Sequence, residues 1–576
     1  MMSVLIGVVA GFGAVVFRGL IGLFHNLFFL GQFSFIYNAN QHTPASPWGL
    51  WIILVPVVGA VGVAFLVKTF APEAKGHGVP EVMDAVYYQK GIIRPVVALI
   101  KSLASALSIG SGGSVGREGP IVQIGSSFGS TLGQLLKVPA WQRTTMLAAG
   151  AGGGIAATFN TPIGGILFAV ELLLPEISSR TLIPVAISTA AATYVGRLLL
   201  GVNPSFVIPG FGMMNAHPSN PYVLLACVGL GGLLGLISTG FIKCIYGFED
   251  FFDQKVSHNY YVRHLLGMLL VGIIIGLMQL WFGHYYVEGV GYATVQEVLT
   301  GTLSALPLLL LLFVLKVVTT SLTLGSGGSG GIFSPALFLG ATFGAAYGVL
   351  LKLIFPHLPI SPSAFAVVGM AGVVGSATGA AITAIVMIFE MTLDYQMILP
   401  MTITVAISYG VRKFLMKDSI YTLKLARRGQ PLPEALQANS WLIRQARDYM
   451  DNQVAVVSAS APLESLAQPA PGAVRPRWFL VEEHEELVGI IEAAALAELV
   501  QRGPGRSLRD AARKDYEVVG ELTAFFELVS RTRARHPGFF LVASQTNPVL
   551  ARNIKGVISR ERVTDTMLQA IAPAPE

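Results

Sequence analysis

The sequence predicts an all-α polytopic membrane protein followed by a C-terminal α/β tandem. Hydrophobic residues make up 53% of the 576 residues, charged residues make up only 12%, and the mean hydropathy is +0.64. Residues 1–400 contain 29 of the 70 Asp, Glu, Lys and Arg residues, and residues 401–576 contain the other 41. A block so poor in charge needs lipid around it, whereas the charge-rich remainder can form a soluble domain.

Composition also excludes several classes of function. The net charge is only +6, and no basic run with interleaved aromatic residues appears, so nucleic acid is not an expected partner. Cys227 and Cys244 are the only cysteines, and both lie in apolar stretches, which excludes a disulfide framework and a cysteine-based metal site. The block 1–400 is not an ordinary soluble enzyme. Its first residues are predicted to form a membrane helix rather than a signal peptide.

Some apolar stretches are long enough to span a membrane, and others are interrupted. Residues 50–68 and 222–246 read as clean spans. Residues 109–120 and 324–335 are Gly-rich breaks between apolar segments. Irregular backbone is tolerated at membrane depth only where protein buries it or water lines it, so two breaks predict a pore or a binding site.

The two breaks belong to an internal repeat. Residues 110–133 match residues 325–348 at 11 of 24 positions with an offset of 215, and the same offset pairs Lys101 with Lys316. A second match, offset by 219, pairs residues 150–171 with 369–390 and ends on a glutamate in both copies. We therefore expect two homologous inverted halves, 1–212 and 213–425, with a polar connector at 213–222.

The charge-rich part contains a second repeat. After a linker at 426–442, residues 443–503 and 507–571 each show the pattern strand, helix, strand, turn, strand, helix. This predicts a tandem of small α/β modules.

The Gly-rich breaks predict an anion site. A helix N-terminus carries partial positive charge and unpaired N–H donors, and glycine lets backbone approach a ligand closely. The runs GSGGSVGREGP (110–120) and GSGGSGGIFSP (325–335) each end in Pro before an apolar helix. For GGILF (164–168) and GSSFG (125–129), close helix packing is the simpler interpretation.

Glu118 lies inside the first break. A carboxylate within a membrane is costly and usually functional. An anion and Glu118 would compete for the same donors. Protonation of Glu118 would release its carboxyl group from these donors, so the residue is a candidate gate. The alternative is a structural pair with Arg117.

Five short motifs resemble the CLC family of chloride channels and proton/chloride exchangers. They are GREGP at 116–120, GIFSP at 331–335, GHGVP at 76–80, EMTLDYQMILPMTIT at 390–404 and SIYTLKL at 419–425. The C-terminal tandem resembles the CBS modules of many members. The resemblance implies two inverted halves and a homodimer with one chloride pore in each subunit. It also implies a place in the lipid bilayer of a cell (inner) membrane, a cytoplasmic CBS pair, and no required cofactor.

The resemblance assigns roles to individual residues. Glu118 would be the gate, the backbone N–H groups of Ile332 and Phe333 would bind the central anion, and the Tyr421 hydroxyl would donate to it. His77 and Gly78 stand in the family's G-S-G-I-P motif, with His77 in place of the usual anion-binding serine. An imidazole can still donate an N–H, but the anion preference is open and pH sensitivity is possible.

The proton route departs from the family pattern. Exchangers carry two adjacent glutamates after G-I-L-F-x-x, the second being the internal proton-transfer group, whereas here Glu171 is followed by Leu172. We therefore expect a voltage- or pH-gated chloride channel. The alternatives are a proton-coupled exchanger, with Glu171 or water bridging the gap, and a transporter of another anion such as nitrate, fluoride or a carboxylate. Lys101, Arg117, Lys316 and Glu390 are expected to be structural or electrostatic.

The CBS pair could also bind a ligand. Such tandems often bind adenine nucleotides through an Asp in G-h-x-[ST]-x-x-D, but the second module has Arg562 at that position after Gly556 and Ser559. In the first module the corresponding segment begins at Gly489 and has neither the Ser or Thr nor the Asp. A structural, dimerising role is the alternative to nucleotide binding. A nucleotide sensor whose membrane part signals without conducting is a further alternative.

Overall fold

The structure, a computed structural model, consists of two compact units, residues 1–432 and 433–576. It describes residues 1–175, 177–202, 206, 221–256, 259–430, 445–466, 476–502, 506–523, 525–544 and 550–571. The predicted connector at 213–222 lies outside these ranges except for its last two residues, and so do residues 431–442 of the predicted linker. The first unit ends at Leu432, beyond the predicted membrane boundary at 425.

In the described part of the first unit, all regular secondary structure is helical. Many of its helices begin with a proline in the first turn, where a missing N–H costs nothing. The helices in chain order are α1 Met2–His25, α2 Val55–Thr69, α3 Val79–Tyr87, α4 Val96–Gly110, α5 Glu118–Leu135, α6 Ala140–Phe159, α7 Pro162–Phe168, α8 Ser179–Leu200, α9 Pro221–Phe251, α10 Tyr260–Phe282, α11 Tyr292–Thr300, α12 Leu306–Gly325, α13 Phe333–Ile354, α14 Pro362–Thr378, α15 Ala381–Thr392, α16 Ile398–Leu415 and α17 Thr422–Arg427.

Eight helices among the described residues are long and apolar enough to span a membrane. They include Met2–Leu30 at the N-terminus, Gly49–Thr69 and Pro221–Val256, each counted with its flanking short helical turns. The prediction of a polytopic helical membrane domain is confirmed. Shorter apolar helices such as Val96–Gly110 and Pro362–Thr378 complete the core and do not need to cross a bilayer alone.

The helix boundaries repeat with the predicted offsets. Helices α4 and α12 both end at the first glycine of the Gly-rich run, and α5 and α13 begin 215 residues apart. Gly112 and Gly327, also 215 apart, both have positive φ values, +98° and +121°, which a side chain would strain. The breaks at 109–120 and 324–335 are thus loops between helices, as predicted.

Close backbone crossings also occur in both halves. In the first half, a Cβ on Gly125 of α5 would lie 2.2 Å from the Gly150 carbonyl oxygen of α6. In the second half, a Cβ on Gly340 of α13 would lie 2.3 Å from the Gly369 carbonyl oxygen of α14. These glycines let paired helices approach to backbone contact, which agrees with the packing interpretation of GSSFG.

The second unit contains two three-stranded sheets of equal topology. In each sheet the first two strands are parallel and the last two are antiparallel. The strands are β1 Val454–Ser458, β2 Trp478–Glu483 and β3 Glu486–Glu492, then β4 Tyr516–Gly520, β5 Phe539–Ala543 and β6 Ile554–Ser559. The helices are α18 Leu496–Arg502, α19 Leu508–Ala511, α20 Phe525–Arg535 and α21 Arg560–Ile571. The predicted order holds in the second module, and in the first the segment between β1 and β2 lies largely outside the described residues.

The packing crosses the predicted module boundaries of 443–503 and 507–571. Ala446 and Tyr449 lie in the core of the second module with Phe525 and Phe540. Leu508 lies in the core of the first module, where its N–H donates to the Ala461 carbonyl (3.1 Å). The core of each module therefore includes a segment that the strand–helix pattern assigns to the other module. Burial of these apolar side chains is favourable in whichever core they reach, whatever their position along the chain.

The glycine crossings predict a sharp difference between two alanine substitutions. Gly340→Ala forces a methyl group into the Gly369 backbone and should cost about 1–3 kcal/mol or more through overpacking. Gly232→Ala in α9 meets nothing within 4 Å and should stabilise its helix by up to about 1 kcal/mol. Thermal unfolding in detergent measures both, and equal melting temperatures for the two variants would contradict the crossing.

Candidate functional site

The site forms where the two Gly-rich breaks meet. The N–H of Gly116 donates to the Gly331 carbonyl (2.7 Å), and the N–H of Gly331 donates back to the Gly116 carbonyl (2.6 Å). These reciprocal bonds join the start of α5 to the start of α13. Two helix N-termini from different halves therefore meet in the interior, and both present partial positive charge.

The loops before α3 and α11 are held in matching ways. The Lys101 ammonium group donates to the carbonyls of Ala74 (3.0 Å) and Gly76 (2.8 Å). The symmetry-related Lys316 ammonium group donates to the carbonyls of Val287 (3.2 Å) and Gly289 (3.0 Å). Both lysines are fully buried, so this bracing of backbone is the structural role that the structure gives them.

The Glu118 carboxylate lies against the first turn of α13. It is buried, and its Oε2 accepts from the Ser334 N–H (3.3 Å). Its Oε1 accepts from the Tyr292 hydroxyl (2.6 Å) and from the Ser334 hydroxyl. The Ser334 hydroxyl also lies 3.0 Å from the Tyr292 hydroxyl. All of these donors are neutral, so the carboxylate is stabilised by dipoles rather than by a cation.

Glycine at position 116 makes room for this carboxylate. A Cβ there would lie 2.2 Å from Glu118 Oε2 and 3.0 Å from the Ser334 hydroxyl. The GREGP motif thus combines a glycine that leaves space with a glutamate that fills it.

Arg117 does not neutralise Glu118. Its guanidinium group lies 5.2 Å from the Tyr292 ring centroid and 5.9 Å from the Phe159 ring centroid. Within the described residues it forms no ion pair with Glu118, so the structural pair considered from the sequence is absent there.

His77 lies beside the start of α5. Its carbonyl packs on Gly119, where a Cβ would approach that oxygen to 2.0 Å, and its ring stacks on Tyr246 at 6.2 Å. The next residue, Gly78, has φ +87° and ends the loop before α3. A side chain at this position would also meet the Gly119 carbonyl at 2.8 Å.

The remaining predicted anion ligands lie on two helix starts. Ile332 and Phe333 are the last loop residue and the first residue of α13, and both are buried. Tyr421 is buried immediately before α17, behind an Ile420 carbonyl that accepts from the Tyr246 hydroxyl (2.7 Å). Tyr246 therefore contacts both His77 and the residue before Tyr421, and so links these two parts of the chain.

Glu171 and Glu390 form a reciprocal pair of helix caps elsewhere. Glu171 accepts from the N–H groups of Ile382 (3.2 Å) and Thr383 (2.8 Å) at the start of α15. Glu390, on α15, accepts from the N–H groups of Ile163 (3.1 Å) and Gly164 (2.7 Å) at the start of α7. Neither hydrogen-bonds to Glu118 in the described residues.

Two residues of the site were not assigned from the sequence. Ser334 is part of GIFSP, and Tyr292 begins α11. For Tyr292 the sequence contains only a weak indication, a repeat in which G-V-G-Y at 289–292 matches G-H-G-V at 76–79 with an offset of 213. Gly291 has φ +76°, close to the value at Gly78, so the two loops also match in backbone geometry.

The C-terminal motif positions carry structural contacts. The Ser559 hydroxyl accepts from the Arg562 N–H (3.2 Å) at the start of α21. A Cβ on Gly489 would meet Ala512 at 2.7 Å, and one on Gly556 would meet the Asp451 carbonyl at 2.8 Å. Nucleotide binding by this unit stays a prediction.

Comparison with known proteins identifies the membrane unit. The family model described as voltage gated chloride channel matches residues 59–413. The H(+)/Cl(-) exchange transporter ClcA of Vibrio vulnificus is 35% identical over 68% of this chain and 84% of its own length.

Two solved structures share the fold. A slow cyanobacterial Cl-/H+ antiporter superposes with a TM-score of 0.64 at 24% identity, covering 74% of this chain and 97% of that chain. A eukaryotic CLC transporter superposes with a TM-score of 0.60 at 20% identity, covering 97% of both chains. The family-model match and the identity to the Vibrio relative lead to one conclusion: the chain belongs to the CLC family of anion-transport proteins.

Proposed function

We propose that this protein exchanges chloride for protons across a membrane, with Glu118 as the group that binds the proton and gates the anion path. The proposal rests on the hydrogen bonds that the Glu118 carboxylate accepts from Ser334 and Tyr292. An ionised carboxylate occupies donors at the start of α13 that a chloride ion could use. Protonation removes its charge, weakens its bonds to these donors and leaves them to the anion.

The relatives support exchange over channel-like conduction. The Vibrio relatives at 34–36% identity bear the name H(+)/Cl(-) exchange transporter. Leu172 is the observation that favours the second candidate, a passive channel, because a leucine cannot carry a proton. The names concern proteins that align with 369 to 447 residues of this chain, whereas Leu172 is one position. The exchanger is therefore our first choice.

The anion path in this proposal runs past five residues. The N–H groups of Ile332 and Phe333 meet the anion at the α13 start, where helix N–H groups lack intrahelical partners. The Tyr421 hydroxyl and the His77–Gly78 loop line the path on the side of α17 and α3. No full positive charge belongs to this set, which suits an ion that must also leave. Chloride is the proposed substrate. Nitrate or fluoride is the alternative, because His77 stands at the position where the family usually has an anion-binding serine.

Assembly and orientation are further proposals that depend on the family. We propose a homodimer in the cell (inner) membrane with the C-terminal unit in the cytoplasm. Gating by voltage is not part of the proposal.

A flux measurement tests the function. Purified protein in liposomes is given a chloride gradient, the voltage is clamped with valinomycin, and chloride and proton fluxes are recorded together. Uphill proton movement driven by chloride is expected. Chloride movement without protons would replace the exchanger by the channel.

Glu118→Gln should imitate the protonated gate. The amide keeps the size of the side chain but removes the charge that competes with the anion. We expect chloride flux to continue, proton flux to fall to background, and the pH dependence of chloride flux to disappear. Retained proton coupling, or an unchanged pH dependence, would remove Glu118 from the gating role.

Tyr292→Phe should loosen the closed gate. The substitution removes one hydroxyl that donates to the carboxylate, and a hydrogen bond to a charged group contributes about 1.5–3 kcal/mol. Because gate and anion compete, apparent chloride binding by calorimetry should tighten by about tenfold near neutral pH.

Tyr347→Phe is the matched control. That hydroxyl donates to the Ala226 carbonyl (3.0 Å) and has no contact with Glu118. Its chloride affinity should equal that of the unmodified protein. Equal affinities in all three proteins would contradict the role of Tyr292.

A further inference from the structure

An exchanger needs a second group that carries the proton past Leu172. Glu171 is a poor candidate, because its oxygens accept from two N–H groups and from the Thr383 hydroxyl (2.7 Å) at the start of α15. Protonating this carboxylate would weaken three charge-assisted bonds and uncap a helix. If the protein exchanges protons as proposed above, the proton therefore uses another residue.

His77 is buried with a ring nitrogen that lacks a partner. The residue is only 3% exposed, and among the described residues its Nδ1 makes no hydrogen bond. An unpartnered polar atom at such depth is costly unless a ligand, water or a proton uses it. A neutral imidazole has one donor and one acceptor nitrogen, so it can take a proton on one side and release one on the other.

His77 also contacts both α5, which begins with Glu118, and α9. Its backbone packs on Gly119, the residue after the gate, while its ring stacks on Tyr246 of α9. Glu249 follows one turn after Tyr246 on the same face of that helix, and its side chain is 19% exposed. Glu249 on α9 and Glu118 on α5 thus belong to the two helices that contact the loop carrying His77.

The groups around His77 oppose a permanent positive charge. Lys101 on α4 faces it, as do Lys424 and Arg428 on and after α17. The Lys424 and Arg428 side chains are paired with Glu249 (3.4 Å) and Glu81 (2.6 Å), which reduces their effect.

Two neutral groups also lie at this loop. The Tyr246 phenol stacks on the His77 ring, and the Gln123 amide of α5 lies beside Gly78, with an Oε1 that has no partner among the described residues. An anion in the path would offset the charge of an imidazolium, so the ring can be protonated transiently while chloride is bound.

We propose that His77 is the second proton-transfer group of this exchanger, in place of the glutamate that Leu172 replaces. The ring accepts a proton from the Glu249 side at one nitrogen and releases the proton of the other nitrogen to the Glu118 carboxylate across the anion path. Only N–H and O–H bonds are made and broken. The ring ends as the other tautomer and returns by the reverse exchange or by rotation.

His77→Asn tests this role. Asparagine keeps an N–H that can donate to an anion but has no titratable nitrogen. In the liposome assay we expect chloride flux to persist and the ratio of proton to chloride flux to fall by at least about tenfold. His77→Gln is measured in parallel, so that poor folding of one variant does not decide the outcome.

Two further variants sharpen the test. His264→Asn removes another buried histidine, whose Nδ1 lies 3.0 Å from the Ser326 hydroxyl, and it should leave the ratio unchanged. Leu172→Glu added to His77→Asn should restore proton coupling, because it returns a carboxylate to the position where the family pattern has one.

The outcomes separate the two proposals. If the unmodified protein moves no protons, the exchanger proposal fails. If the unmodified protein and both His77 variants show the same ratio of proton to chloride flux, the exchanger proposal stands and the role of His77 is overturned.

Discussion

The site depends on a single interaction, the placement of an ionised carboxylate on neutral donors at a helix start. Glu118 accepts from the N–H and hydroxyl of Ser334 and from the Tyr292 hydroxyl, and none of these groups carries a full charge. A salt bridge with Arg117 would hold the carboxylate in place whether or not an anion was bound nearby. In the proposed gate, dipoles hold the carboxylate firmly enough to close the anion path, and loosely enough for one proton to release it.

The internal repeat explains how such a site can form within an apolar core. Each half supplies a Gly-rich loop, a lysine that braces a neighbouring loop, and a glutamate that caps a helix of the other half. The two loops then meet through the reciprocal Gly116–Gly331 bonds. The repeat is not exact at the centre, because Glu118 has no acidic counterpart at Phe333. The asymmetry gives one half the buried carboxylate and the other half the helix start that donates to it.

The sequence predicted the parts of the molecule that recur or carry unusual residues. The breaks, the repeat and Glu118 all follow from glycine spacing and from a carboxylate in an apolar segment. Tyr292 was missed because only two glycines relate its loop to that of His77, and an aromatic residue at a helix start usually has an interfacial or packing role. The sequence left two roles possible for Glu171, a proton carrier and a structural carboxylate at a helix end. Only the structure shows that α15, 211 residues away in sequence, supplies its donors. The exchange of segments between the C-terminal modules was likewise hidden, since a strand–helix pattern does not say which core an apolar side chain enters.

The central claim is that Glu118 and the anion compete for the same helix end. The most direct test is the chloride affinity of the unmodified protein, measured by calorimetry at a series of pH values. The account predicts tighter chloride binding at the acidic end, where the gate is protonated, and weaker binding as it ionises. A chloride affinity that does not change with pH, or that rises as the pH rises, would contradict it.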